Sequence, residues 1–147
     1  MQINEELAGI VRKFMREYVP FNAFLGIDLD VLEEGHALLS LPFRPEFIGD
    51  SMRSPPALHG GLTATLLDTA GGAAVWTTVQ LQDRVSTIDM RVDYLRPGRS
   101  ELLLAEATVI RTGNRVGVTT MRAYHPTTPN ETIAEARGVY NIKRVGE

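Results

Sequence analysis

Residues 59–80, HGGLTATLLDTAGGAAVWTTVQ, decide how the rest of this chain is read. Leu and Ala dominate the first half and lose little freedom in a helix, while Thr and the pair Gly71-Gly72 oppose one. The balance favours a helix that is apolar nearly all round, and such a helix belongs in a protein interior. Two groups interrupt that character: His59 at its start and a single carboxylate, Asp68, midway along. Ahead of it, Pro55 and Pro56 disfavour regular structure, so His59-Gly60-Gly61 makes a sharp start where backbone can approach another group closely. An ionised carboxylate in a buried helix needs a partner, hydrogen bonds or a wet cavity, so Asp68 requires an explanation.

Working outward, residues 44–58 contain three prolines and no periodicity, which marks a loop. Upstream of it, Leu25, Ile27, Leu29 and Val31 alternate with Asp28 and Asp30, the pattern of a half-buried strand. After Glu34-Gly35, the residues Ala37, Leu39 and Leu41 continue a second strand that stops at Pro42. Leu7, Ile10, Val11, Phe14, Met15 and Tyr18 recur at helical spacing, with Asn4 as cap, Glu5 and Glu6 in the first turn, and Pro20 as the stop. Downstream, Ile88, Met90, Val92 and Tyr94 alternate with Thr87, Asp89, Arg91 and Asp93 as far as Pro97-Gly98. Three further strands fall at about residues 101–111, 115–124 and 132–143, divided by Thr112-Gly113-Asn114 and by residues 126–130. Their short connections imply an antiparallel meander.

The expected fold class is α+β: an antiparallel sheet of about six strands wrapped around one long central helix, with an extra N-terminal helix. A chain of 147 residues fits one domain, here 1–147, with the N-terminal helix in 1–19 and the core in 24–143. A net charge of −3 argues against a nucleic-acid protein. With no cysteine there is no disulfide, thiolate metal site or Cys nucleophile. The N-terminus lacks the basic start and apolar core of a signal peptide, and Asp68 and His59 make the central helix a poor membrane span, so the expected setting is the cytoplasm.

Three features can carry chemistry. Unsatisfied N–H groups at a helix N-terminus suit an anion or a developing oxyanion, and glycine there admits a ligand carbonyl; close packing of backbone on backbone is the plainer reading of Gly60-Gly61. Asp68 reads as a general base, as a nucleophile, or as a structurally satisfied carboxylate. The third feature, the basic turn from Arg111 to Arg115, offers cations to an anionic ligand. Together the helix start and Asp68 supply what acyl transfer needs, an oxygen to deliver and a site for the carbonyl oxygen. Gly60 and Asp68 are eight residues apart, so along one helix about 12 Å separates them. Acting on one carbonyl, they must come from two subunits whose central helices pair about a two-fold axis. His36, His59 and His125 show no metal-ligand spacing, and no serine elbow, dinucleotide or P-loop pattern occurs.

The segment LHGGLTATLLDTAGGAA, with STIDMRVDYLRPG and RTGNRV, resembles the PaaI-like group of hotdog-fold acyl-CoA thioesterases. That group carries His-Gly-Gly at the start of its central helix and an acidic residue nine positions after the His, the spacing of His59 and Asp68. The resemblance implies a hotdog fold and a homo-oligomer, dimeric for the site and tetrameric overall. The implied substrate is an aromatic or short- to medium-chain acyl-CoA, with no cofactor besides the CoA it carries. It implies that the Gly60 N–H polarises the thioester carbonyl, that Asp68 of the facing subunit is base or nucleophile, and that His59 shapes the helix start. Thr87, with Ser86 beside it, occupies the place of a hydroxyl that holds the water; Gly61, Arg53, Arg111 and Arg115 are the substrate-binding candidates, with Arg96, which precedes another turn, as a further cation for the CoA phosphates. One departure stands out: the group often has Asn or Gln six residues before the His, where this chain has Arg53. Two alternatives share the fold, a non-catalytic acyl-CoA-binding protein and an enoyl-CoA hydratase or dehydratase.

Overall fold

The computed structural model describes residues 5–146. Its elements are α1 (Glu5–Glu17), α2 (Pro20–Leu25), β1 (Asp28–Glu33), β2 (His36–Leu41), α3 (Gly60–Trp76), β3 (Arg84–Tyr94), β4 (Leu103–Thr112), β5 (Val116–Tyr124) and β6 (Ala134–Lys143). A single 3-10 turn, Pro45–Phe47, interrupts the long loop before α3. The cap expected at Asn4 lies outside the described residues.

All strands pair antiparallel in one sheet of order β1-β2-β4-β5-β6-β3, curled around α3. Why the sheet can wrap so closely is visible in two rungs where three of every four side chains are alanine. Ala37, Ala107, Met121 and Ala136 form one, Leu39, Ala105, Ala123 and Ala134 the other, and all are buried. Against them α3 presents Leu66, Leu67, Ala70 and Ala74, each fully buried. Its opposite side is open, with Gly61 exposed and Ala64, Thr65, Asp68 and Thr69 half-buried, so burial on all sides is not achieved within one protomer.

The expected helix runs four residues too far. Thr77 and Thr78 turn their hydroxyls back onto Ala74 O and Val75 O, at 2.6 and 2.7 Å, and satisfy the last carbonyls. Pro20 does not merely stop α1; it opens α2, where its missing N–H costs nothing, and Gly26 in the left-handed region (φ 81) ends it. Leu25 therefore closes a helix and is not a strand residue. A bulge between Leu29 and Val31 then shifts the inward register, so Leu32 takes the buried place expected of Val31.

β4, β5 and β6 form the expected meander, but β3 does not join it beside β4. Residues 95–102 carry the chain across the end of the sheet, and β3 pairs with β6 along ten residue pairs instead. This crossing is tied down by the Leu95 and Arg96 N–H groups on Ile133 O, at 2.8 and 3.0 Å, and by the Leu58 N–H on Gly98 O at 2.9 Å. His125 holds the same region, accepting from the Arg99 N–H through Nε2 and bonding Leu102 O through Nδ1, both at 2.8 Å.

Candidate active site

Asp68 sits midway along α3 on the side facing β3 and β6. Thr87 Oγ1 donates to Asp68 Oδ1 at 2.6 Å. Tyr140 Oη lies 2.9 Å from Asp68 O and 3.3 Å from Oδ1. Thr87 and Tyr140 are cross-strand neighbours, so one rung of the sheet aims two hydroxyls at one carboxylate. Oδ2 has no hydrogen-bond partner among the described residues. Burial, then the charge of Asp68, pushes the Tyr140 phenol far above its ordinary value, which keeps it a donor.

Two glycines open the way for that tyrosine. A Cβ on Gly71 would overlap Tyr140 Oη and Met121 Sδ, and one on Gly138 would lie 2.7 Å from the Tyr140 ring. The glycine that weakens the helix by propensity is thus the one that lets Tyr140 reach it. Sequence reasoning missed Tyr140, although a signal was there. Alternation in β6 puts it on the helix side with Ala134, Ala136 and Gly138, a lone polar ring among small residues opposite the helix's lone carboxylate.

At the other end of the helix, His59 is the N-cap, with extended backbone (φ −61, ψ 129) and Nδ1 accepting from the Gly61 N–H at 2.9 Å. Nδ1 is therefore unprotonated. This cap occupies the Gly61 donor and leaves the Gly60 N–H, which has no acceptor among the described residues. Tyr94 packs its ring on Gly60 and donates to Gly60 O at 2.7 Å, fixing the first turn.

Arg53 does not approach Asp68. It lines a cleft of about 300 Å³ together with Gly60, Thr63, Tyr94 and Arg96, beside the helix start. Ser86 pairs with Asn141 and, one residue from Thr87, falls on the other face of β3. Arg111 and Arg115 flank the β4–β5 turn near the C-terminal end of α3, where Thr112 Oγ1 meets Thr78 Oγ1 at 2.7 Å. One protomer therefore keeps them apart from Gly60. That turn is secured by Arg144, which bonds Gly113 O and Asn114 O and pairs with buried Asp83 at 3.0 Å. Despite its burial, Asp83 is held below the usual carboxylate range by the Val145 and Gln80 N–H groups and by Arg144. A wider concavity, about 590 Å³, lies elsewhere, among Arg91, Asp93, Glu106, Arg122, Glu135 and Arg137, where the charges alternate along β3 and β6 but Arg91 faces Arg137 and Asp93 faces Glu135 across them.

An antiparallel sheet curled around one helix, with a carboxylate in the helix and a bare N–H at its start, is the hotdog architecture arranged for carbonyl chemistry. The thioesterase superfamily profile matches residues 56–130, which hold both features. A medium/long-chain acyl-CoA thioesterase of Escherichia coli, YigI, is 36% identical across 78% of this chain and 81% of its own. A putative esterase of Halobacterium salinarum is 32% identical across 95% of both chains. Among solved structures, a thioesterase-superfamily protein of Shewanella oneidensis superposes with a TM-score of 0.80 at 34% identity, covering 92% of this chain and 95% of that one. The chain belongs to the thioesterase superfamily, and its class of reaction is thioester hydrolysis.

Proposed function

We propose that this protein is an acyl-CoA thioesterase working as a homodimer, each active site combining the α3 start of one protomer with Asp68 of the other. The observation that carries this reading is the Thr87–Asp68 contact of 2.6 Å beside the free edge of β3. The acyl-CoA substrate is supported by the name of the Escherichia coli relative. The thioester carbonyl accepts from the Gly60 N–H, which polarises it for attack. Asp68, oriented by Thr87 and Tyr140, takes a proton from the water that adds to the carbonyl carbon, or adds itself to give a mixed anhydride that water opens. In the first route the C–S bond of the adduct breaks and CoA leaves as the thiol with the proton that Asp68 took from the water; in the second the C–S bond breaks as the anhydride forms, and the departing thiolate takes its proton from the water that opens the anhydride. No metal or organic cofactor enters this scheme beyond the substrate's own CoA.

The partner is required because about 12 Å separates Gly60 from Asp68 along one helix. Pairing two β3 edges about a two-fold axis sets the α3 helices antiparallel. The partner's Arg111 and Arg115 then approach the helix start near Arg53 and Arg96, gathering cations for the CoA phosphates. We also take the assembly to be a PaaI-like tetramer of two such dimers, located in the cytoplasm.

Thiol release measured over aromatic, short, medium and long acyl-CoAs tests the reading. Asp68→Asn should abolish turnover while leaving binding intact; near-normal turnover would refute the assignment. Gly60→Pro removes the N–H and keeps the helix start, because proline is accepted at the first helical position and His59 already has the extended backbone that a preceding residue needs; the exposed Tyr94 ring, 3.2 Å from a Cβ there, has to give by a few tenths of an ångström. Mixing these two inactive variants should restore one working site per hybrid dimer. Hybrids that form and stay inactive would exclude a shared site.

A further inference from the structure

A second cleft opens on the other side of His59. It measures about 490 Å³, is walled by Phe21, Phe24 and Phe47, and reaches His59, Gly61 and Thr65 of the α3 start. One cation stands in this carbon-lined space. The Arg44 guanidinium lies 5.3 Å from the Phe24 ring centroid and 4.6 Å from that of Phe47. Its Nε is buried without a hydrogen-bond partner, and Arg44 makes no ion pair among the described residues, although Glu46 lines the same cleft. The ring faces offset part of the cost of desolvating the charge but leave the N–H unbonded. An acceptor brought in by a ligand recovers that loss, and a planar guanidinium matches a carboxylate best. Phe24 is 70% exposed, so its ring can turn aside without disturbing the core.

We infer that this cleft is the acyl subsite and that Arg44 selects acyl groups ending in a carboxylate. The inference rests on the thioesterase reading, because the cleft adjoins the helix start that receives the thioester carbonyl there. It assigns acyl selectivity to a residue other than Arg53, the substrate-binding candidate of the same loop. Arg53 shares its cleft with Arg96, on the side of Gly60 that suits the CoA phosphates, whereas Arg44 stands among aromatic rings where the acyl chain finds apolar contact.

The test uses acyl-CoA pairs of equal length, suberyl-CoA against octanoyl-CoA and adipoyl-CoA against hexanoyl-CoA. They are titrated by calorimetry onto Asp68→Asn protein with and without a second substitution. Adding Arg44→Met should weaken the carboxylated member about tenfold or more and the neutral member less than about threefold, as expected for a lost charged hydrogen bond. Arg44→Lys, which keeps the charge and the fold but not the planar fork, should weaken the carboxylated member alone and by less. Equal losses on both members would assign Arg44 to packing, and an equal loss for free CoA would assign it to the phosphates; either overturns the inference, as does selectivity that vanishes with Arg53→Ala instead. Turnover by the unaltered protein is measured separately. If it hydrolyses no acyl-CoA, the thioesterase reading fails while the binding ratios still decide the part played by Arg44.

Discussion

The two margins of the sheet are finished in opposite ways. Along β1, an amphipathic helix closes the edge: Arg12 Nε donates to Leu29 O at 3.0 Å, and Arg16 pairs with Asp28. Along β3, no described strand pairs with the outer edge, and Ile88 and Tyr94 stand 58% and 53% exposed. An uncovered row of N–H and C=O groups invites another strand, and proteins that must stay monomeric usually charge it, shorten it or cover it. Here β3 spans eleven residues and carries exposed Arg84, Asp89 and Arg91, yet it leaves Ile88 and Tyr94 in the open, and the same strand delivers Thr87 to Asp68. Scaffold and chemistry are thus assigned to different margins.

Three substitutions probe that division. Ile88→Lys puts a charge on the open edge and should split the assembly, removing one protomer's Gly60 N–H from the other's Asp68. Loss of an oxyanion donor costs about a hundredfold or more in turnover, so light scattering and thiol release should fall together. A monomer with full activity would end the idea of a shared site. Tyr140→Phe leaves the edge alone and removes one hydroxyl from Asp68. It should lower kcat about tenfold with KM unchanged, and stability by about 1 kcal/mol in urea unfolding. Arg12→Ala, on the closed margin, should cost less than about 1 kcal/mol and leave activity and assembly untouched.

The central helix and the alternating strands were legible because each is local, a spacing within one element; Thr87 was named only through the family resemblance, as a hydroxyl that holds the water, and its bond to Asp68 came with the fold. Residues settled by chain reversal were less so. Pro20 blocks a helix from behind and starts one ahead, and the residues before it do not say which role applies. The position of β3 depended on residues 95–102 crossing the sheet, which no periodicity reports. Tyr140 and Arg44 take their meaning from partners far away in sequence, Asp68 in one case and Phe24 and Phe47 in the other. Arg111 and Arg115 were recognisable as a basic turn, yet only the fold places that turn at the far end of α3 from Gly60.

The notch through which Tyr140 reaches the helix ties together positions distant in the chain. Position 71 can gain a Cβ only if Tyr140 and Met121 withdraw or the helix moves away, and position 138 only if the Tyr140 ring and the end of Met121 shift aside. Residue 140 in turn can lose its hydroxyl only by withdrawing a donor from Asp68. Under mutational drift these three sites exchange as a set or stay as they are. A descendant with alanine at 71 and tyrosine still at 140 would have a displaced helix, and with it a carboxylate no longer aligned with its strand.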